Sequence, residues 1–130
     1  MNSLKIEGTT FTPEINFDIT NNKLSFLKVS KPGDAIKFYK PVFEFIDNFE
    51  KVKVKSKIAK ELVIDFNFDY FNTATAKIIY ELLEKFKNIK DQGVDVIINW
   101  FYHPEDDDLL EEGQIMSEAL NLPFNYKILE

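Results

Sequence analysis

Leu62-Val63-Ile64-Asp65-Phe66-Asn67-Phe68 runs into Asp69-Tyr70-Phe71-Asn72 and then into Thr73-Ala74-Thr75-Ala76-Lys77. The first seven residues predict a strand, because Asp65 and Asn67 alternate with Ile64, Phe66 and Phe68. Residues 69–72 predict a turn. Asn72 is a suitable N-cap, since its side-chain oxygen can take a hydrogen bond from an otherwise unpaired N–H of the next turn. Ile78, Ile79, Leu82, Leu83, Phe86 and Ile89 then share one helix face, up to Gly93, which suits a left-handed C-cap. The first turn carries two hydroxyls, Thr73 and Thr75, at the positive end of that helix. An added phosphate there meets free N–H groups and a favourable dipole. The same residues also make an ordinary capped strand-to-helix turn. The functional site is expected here, in a switch rather than an enzyme.

Outward from this unit the pattern continues. Before it, residues 4–7 form a short edge strand, 8–13 a turn, and Ile15, Phe17 and Ile19 a half-buried strand. Thr20-Asn21-Asn22 turns the chain into a returning strand over 24–29. Lys31-Pro32-Gly33-Asp34 breaks that strand, and Asp34 caps a helix whose spaced apolar residues are Ile36, Tyr39, Val42, Phe43, Ile46 and Phe49. Pro41 is expected to kink this helix. After the central unit come a strand over 94–101, a loop over 102–107 and a helix opened by Asp108. Leu109, Leu110, Met116, Ala119 and Leu120 are its inward residues. Leu122-Pro123 ends that helix, and Phe124, Tyr126 and Ile128 alternate as a last strand.

Strands alternating with helices argue an α/β class, bordering on α+β, with a mixed, largely parallel sheet of about five to six strands and an antiparallel edge. A sheet buried on both faces reads as continuous apolar runs. Here Asp65 and Asn67, and again Asp95 and Asn99, oppose apolar neighbours. The three helices are therefore expected mostly on one face, with the other face partly wet.

The chain has 130 residues, the size of a single domain spanning 1–130, and 45% of them are hydrophobic, 13 of them Phe. With 16 basic against 22 acidic residues the net charge is −6, which argues against nucleic acid or a membrane surface as partner. There is no cysteine, so disulfides, thiolate metal sites and thiol nucleophiles are excluded. No segment reads as a signal peptide or a membrane span, and a soluble, cytoplasmic domain is expected.

Other candidate chemistry is thinner. The single His103 follows a strand end and lacks a recognisable nucleophile, so no catalytic residue and no enzyme activity is assigned. Glu105, Asp106, Asp107, Asp108, Glu111 and Glu112 form an acidic run. It suits a helix N-terminus or partner recognition. Calcium binding by residues 105–112 stays an alternative, although the run lacks the ligand spacing and glycine of an EF-hand. Lys51, Lys53, Lys55, Lys57 and Lys60 read as a solvated loop or as a docking patch for an acidic partner. Tyr70 and Phe71 are either core or a contact surface beside Thr73. No cofactor or metal is implied.

Taken together, four segments resemble a known family: Leu4-Lys5-Ile6-Glu7-Gly8-Thr9 with Thr12-Pro13, Tyr70-Phe71-Asn72-Thr73 with Lys77, Asn99-Trp100-Phe101-Tyr102 followed by acids, and Leu122-Pro123-Phe124. They look like the SiaC family of bacterial regulatory phosphoproteins, which are similar in fold to STAS domains and anti-sigma-factor antagonists. The resemblance implies one STAS-like regulatory domain that switches partners. A cognate kinase phosphorylates a hydroxyl at the start of the helix after the central strand, and a PP2C-type phosphatase removes the phosphate. The unmodified form binds and activates a diguanylate cyclase, in cyclic-di-GMP regulation. By that resemblance the acceptor falls on Thr73. Where the family usually continues with serines this chain has Ala74 and Thr75, which leaves Thr75 as a second candidate. Tyr70, Phe71, Asn72, Thr73, Lys77 and Tyr102 are the expected partner-binding residues. A binding module without phosphate control is the remaining alternative.

Overall fold

The computed structural model describes all 130 residues. Strands β1 (Leu4–Ile6), β2 (Glu14–Asp18), β3 (Lys23–Ser30), β4 (Glu61–Phe71), β5 (Asp95–Tyr102) and β6 (Asn125–Ile128) lie side by side in chain order in one sheet. β1, β2 and β3 pair antiparallel, while β3 to β6 are parallel throughout. Parallel neighbours need crossovers, supplied by helices α1 (Ala35–Phe49), α2 (Thr73–Asp91) and α3 (Asp107–Leu120). Crossovers of this kind are right-handed, and each step from β3 to β6 moves in the same direction across the sheet. All three helices therefore fall on one face, as the polar alternation of the strands predicts.

Burial follows. Leu24, Phe26, Leu62, Ile64, Phe66, Phe68, Ile98 and Trp100 point into the helix-covered side and are buried. Their neighbours along each strand are half-buried or, as at Lys23, Glu61 and Asp69, exposed. On the open side Asn16, Ser25, Asp65, Asn99 and Asn125 stand in register across the sheet. Asn99 Nδ2 donates to Asp65 Oδ1 at 2.8 Å, and Lys23 pairs with Asp65 at 3.2 Å. This polar row satisfies a face that no helix covers. In the core Phe26 and Phe66 stack at 5.1 Å, and Trp100 stacks on Phe124 at 5.6 Å. Trp100 also donates from Nε1 to the Leu109 carbonyl at 3.0 Å, which ties β5 to the first turn of α3.

Several local expectations change. β4 runs on to Phe71, so residues 69–71 are strand and not turn. The register slips opposite Lys28 and Val29, which leaves Asp69 as an extra residue on β4. Such a bulge re-aims the side chains beyond it. Asp69 and Tyr70 both turn outward and Phe71 turns in. Ile36, expected in the core, is 79% exposed, and Ala119 is exposed as well. α1 runs on through Pro41, which lies on its exposed side, and a π-helical turn at Glu50–Val54 prolongs it. The lysine segment thus begins as helix rather than loop, although Lys51, Lys55, Lys57 and Lys60 are exposed as expected. α3 opens one residue earlier than expected, at Asp107, because Asp106 is its cap.

Candidate functional site

β4 delivers the chain into α2 at its bulged end. Asn72 sits in extended conformation (φ −85°, ψ 176°) and its Oδ1 accepts from the Thr75 N–H at 2.9 Å. Its own N–H donates to the Ser30 carbonyl at 3.0 Å. The cap is thereby anchored to β3 as well as to the helix. Asn72→Ala is expected to cost about 0.5–2 kcal/mol. Asn72→Asp, which keeps the acceptor, should recover most of that loss in urea denaturation.

The two threonines of the first turn have opposite surroundings. Thr73, the first helical residue, is exposed. Thr75 is fully buried, its Oγ1 3.2 Å from the Ser30 carbonyl and 2.9 Å from Ser30 Oγ. A hydroxyl enclosed in that way offers no oxygen to a transferring enzyme while the helix stays formed. Between the two helix starts lies a groove of about 590 Å³. Gly33, Asp34, Ala35 and Ile36 form one lip, and Thr73, Ala74 and Lys77 belong to the other. Lys77 is exposed one turn after Thr73, on the same helix side.

The other expected contact residues are dispersed. Tyr70 is 53% exposed and faces a second hollow of about 240 Å³ with Asp69, Asp106, Asp108 and Glu112. Phe71 belongs to the core, packed edge-on against Trp100 at 6.0 Å, and its remaining 6% of exposed surface borders the same hollow as Tyr70. Tyr102 is half-buried at the end of β5, paired with Ile128 of β6, and lines neither hollow. His103 faces the Asp69 carboxylate at 3.9 Å rather than a hydroxyl. Strand alternation alone did not reveal Ser30 and Tyr39 as partners of the site. The available signal was a tyrosine at an inward helix position, since a buried phenol needs a hydrogen-bond partner.

The acidic run serves α3. Asp106 caps it by accepting from the Leu109 N–H at 3.0 Å, and Asp107 and Asp108 lie in its first turn. No three of the acids converge in the arrangement a metal ion needs. Desolvation holds the Glu112 carboxyl above the usual carboxylate range, with Asp106 and Asp108 adding to the effect. A raised folded-state pKa means that stability is lost as pH rises through it. Glu112→Gln is therefore expected to raise the melting temperature at pH 7. The gain should vanish below about pH 4, where Glu is protonated in either state. Solvent screening keeps that gain within about 0.5 kcal/mol.

A family model described as SiaC family regulatory phosphoprotein matches residues 6–129. The chain belongs to the SiaC family. Its fold is that of apo-SiaC from Pseudomonas aeruginosa, with a TM-score of 0.85 and 24% identity over 98% of this chain and 99% of that one. It also matches the crystal structure of the diguanylate cyclase SiaD in complex with its activator SiaC from the same organism. There the TM-score is 0.87 at 23% identity, covering 97% of this chain and 99% of the other. An uncharacterised protein of Pseudomonas aeruginosa (strain UCBPP-PA14) is 24% identical over 124 residues, 95% of this chain and 94% of its own. The SiaC family is thus the one that the four quoted segments indicate. No helix of this SiaC-family chain is long and apolar enough to cross a membrane.

Proposed function

We propose that this protein is a non-enzymatic partner switch in which phosphate on Thr73 decides whether a diguanylate cyclase docks. The observation that carries the reading is the contrast within one turn. Thr73 is exposed at a capped helix start beside an open groove, whereas Thr75 is buried and hydrogen-bonded. Thr73 is then the acceptor and Thr75 is not. Tyr70 and Lys77, both exposed, are the flanking contacts, and Asn72 acts by holding the turn. A kinase adds the phosphate and a PP2C-type phosphatase removes it, a cycle that runs on ATP and so belongs to the cytoplasm. The unmodified form binds and activates the cyclase, as the SiaC of Pseudomonas aeruginosa is the activator of SiaD.

The mechanism is electrostatic and local. Phosphate brings about −1.5 to −2 charges and three acceptor oxygens. The start of α2 tolerates that charge, so the fold persists. A partner packed over Thr73 would have to desolvate it. The test is calorimetric titration of a diguanylate cyclase from the same organism with the unmodified and the phosphorylated protein, alongside cyclase turnover. Binding and activation by the unmodified form alone support the switch. Equal binding by both forms leaves an interaction module without phosphate control.

A further inference from the structure

We propose that Thr75 is a positioning residue whose hydroxyl, through Ser30, ties the first turn of α2 to α1 and so holds Thr73 in the geometry a kinase reads. This rests on Thr73 as the phosphoacceptor and adds what keeps that acceptor in place. Ser30 and Thr75 are the buried polar side chains of the core, each with no exposed surface. Thr75 Oγ1 donates to the Ser30 carbonyl at 3.2 Å and lies 2.9 Å from Ser30 Oγ. Ser30 Oγ in turn lies 2.7 Å from the hydroxyl of Tyr39, which α1 buries completely. The same Ser30 carbonyl accepts the Asn72 N–H at 3.0 Å.

With the Thr75 proton committed to the carbonyl, one order uses every proton. Tyr39 donates to Ser30 Oγ, Ser30 Oγ donates to Thr75 Oγ1, and Thr75 Oγ1 donates to the Ser30 carbonyl. Burial holds the Tyr39 phenol well above its usual range, so it stays protonated and remains a donor. The chain joins β3, α1 and α2 across 9 and 45 residues of sequence, so no local turn preference can replace it. It reaches α1 at Tyr39, one turn after Ala35, and the starts of the two helices that it joins form the lips of the groove on which Thr73 lies. Opening one lip strands a buried hydroxyl, which is costly, so the two lips are set together.

Loosening the clasp lowers the fraction of molecules with the lips in place. Apparent affinity for an enzyme that reads them falls by that fraction, while turnover of bound molecules is kept. The test follows Thr73 phosphorylation by mass spectrometry, using ATP and a kinase fraction from the host cell. Amide exchange over 75–79 is measured in parallel and needs no kinase. Thr75→Val is expected to raise KM by about five- to tenfold with kcat within about twofold. Its amides over 75–79 should exchange at least about tenfold faster. Thr75→Ser, which keeps the hydroxyl, should restore both readouts. Tyr39→Phe removes only the outer donor and should shift both in the same direction by a smaller factor. Wild-type KM and exchange in Thr75→Val overturn the proposal. So does a fall in kcat at unchanged KM, or an equal defect in Thr75→Ser. If the wild-type protein takes no phosphate on Thr73, the acceptor reading fails, and the exchange series still decides the clasp.

Discussion

Phosphorylated on Thr73, the protein is expected to bind its partner about a hundredfold more weakly and to keep its fold. About 2.7 kcal/mol is enough for that factor, since each 1.4 kcal/mol is tenfold. Burying an unpaired charge at an interface costs about 2–5 kcal/mol, a range that brackets the requirement. The fold sees a different balance. The N-terminus of α2 favours an anion by about 0.3–1 kcal/mol. Lys77, one turn on, favours it by about 0.2–0.5 kcal/mol more. Asp34 and Glu81 in the same groove oppose it. These terms nearly cancel, so the melting temperature should move by no more than a few degrees. Thr73→Ala should bind the partner as the unmodified protein does and resist the loss. A phosphoprotein that melts early, or one that binds as tightly as the unmodified form, contradicts this account.

The second large effect concerns stability. On an open helix face Gly→Ala is stabilising by about 1 kcal/mol, because Ala is the better helix former. At Gly113 the sign should reverse. A Cβ there would lie 2.6 Å from Trp100 Nε1, 2.7 Å from Cε2 and 2.8 Å from Cδ1. Trp100 has nowhere to retreat. It is 1% exposed, stacked on Phe124, in contact with Phe66 and Phe71, and hydrogen-bonded to the Leu109 carbonyl. Overpacking costs about 1–3 kcal/mol, and straining that hydrogen bond about 1 more. Gly113→Ala is thus expected to destabilise by about 1–3 kcal/mol net, lowering the urea midpoint without changing its slope. Trp100 is the only tryptophan, so its emission reports the displaced ring directly. An unchanged or higher midpoint would show that α3 shifts freely away from β5.

Periodicity carried most of the architecture. Polar residues opposite apolar ones along 62–68 and 94–101 implied one covered face, and the sheet has one. The capping chemistry of Asn72 was equally legible, because it is decided within one turn. Three features were not, and the first two depend on atoms far away in the chain. The extra residue at Asp69 exists only relative to the register of β3, so no local pattern marks it, yet it sends Tyr70 outward and Phe71 into the core. The fates of the two threonines depend on Ser30 and Tyr39. Two hydroxyls two residues apart look alike in sequence, but on a helix they point to different sides. The π-helical turn at Glu50–Val54 follows α1 directly and carries alternating lysines, a pattern that by itself suggests an extended, solvated segment.

The most direct measurement is the position of the phosphate. The intact protein is incubated with ATP and a kinase fraction from the host cell, digested, and mapped by mass spectrometry. The expected product carries phosphate on Thr73, and Thr73→Ala treated identically carries none. Phosphate found only on Thr75, or only on Ser56 within the lysine segment, would contradict the assignment of the switch to the open start of α2.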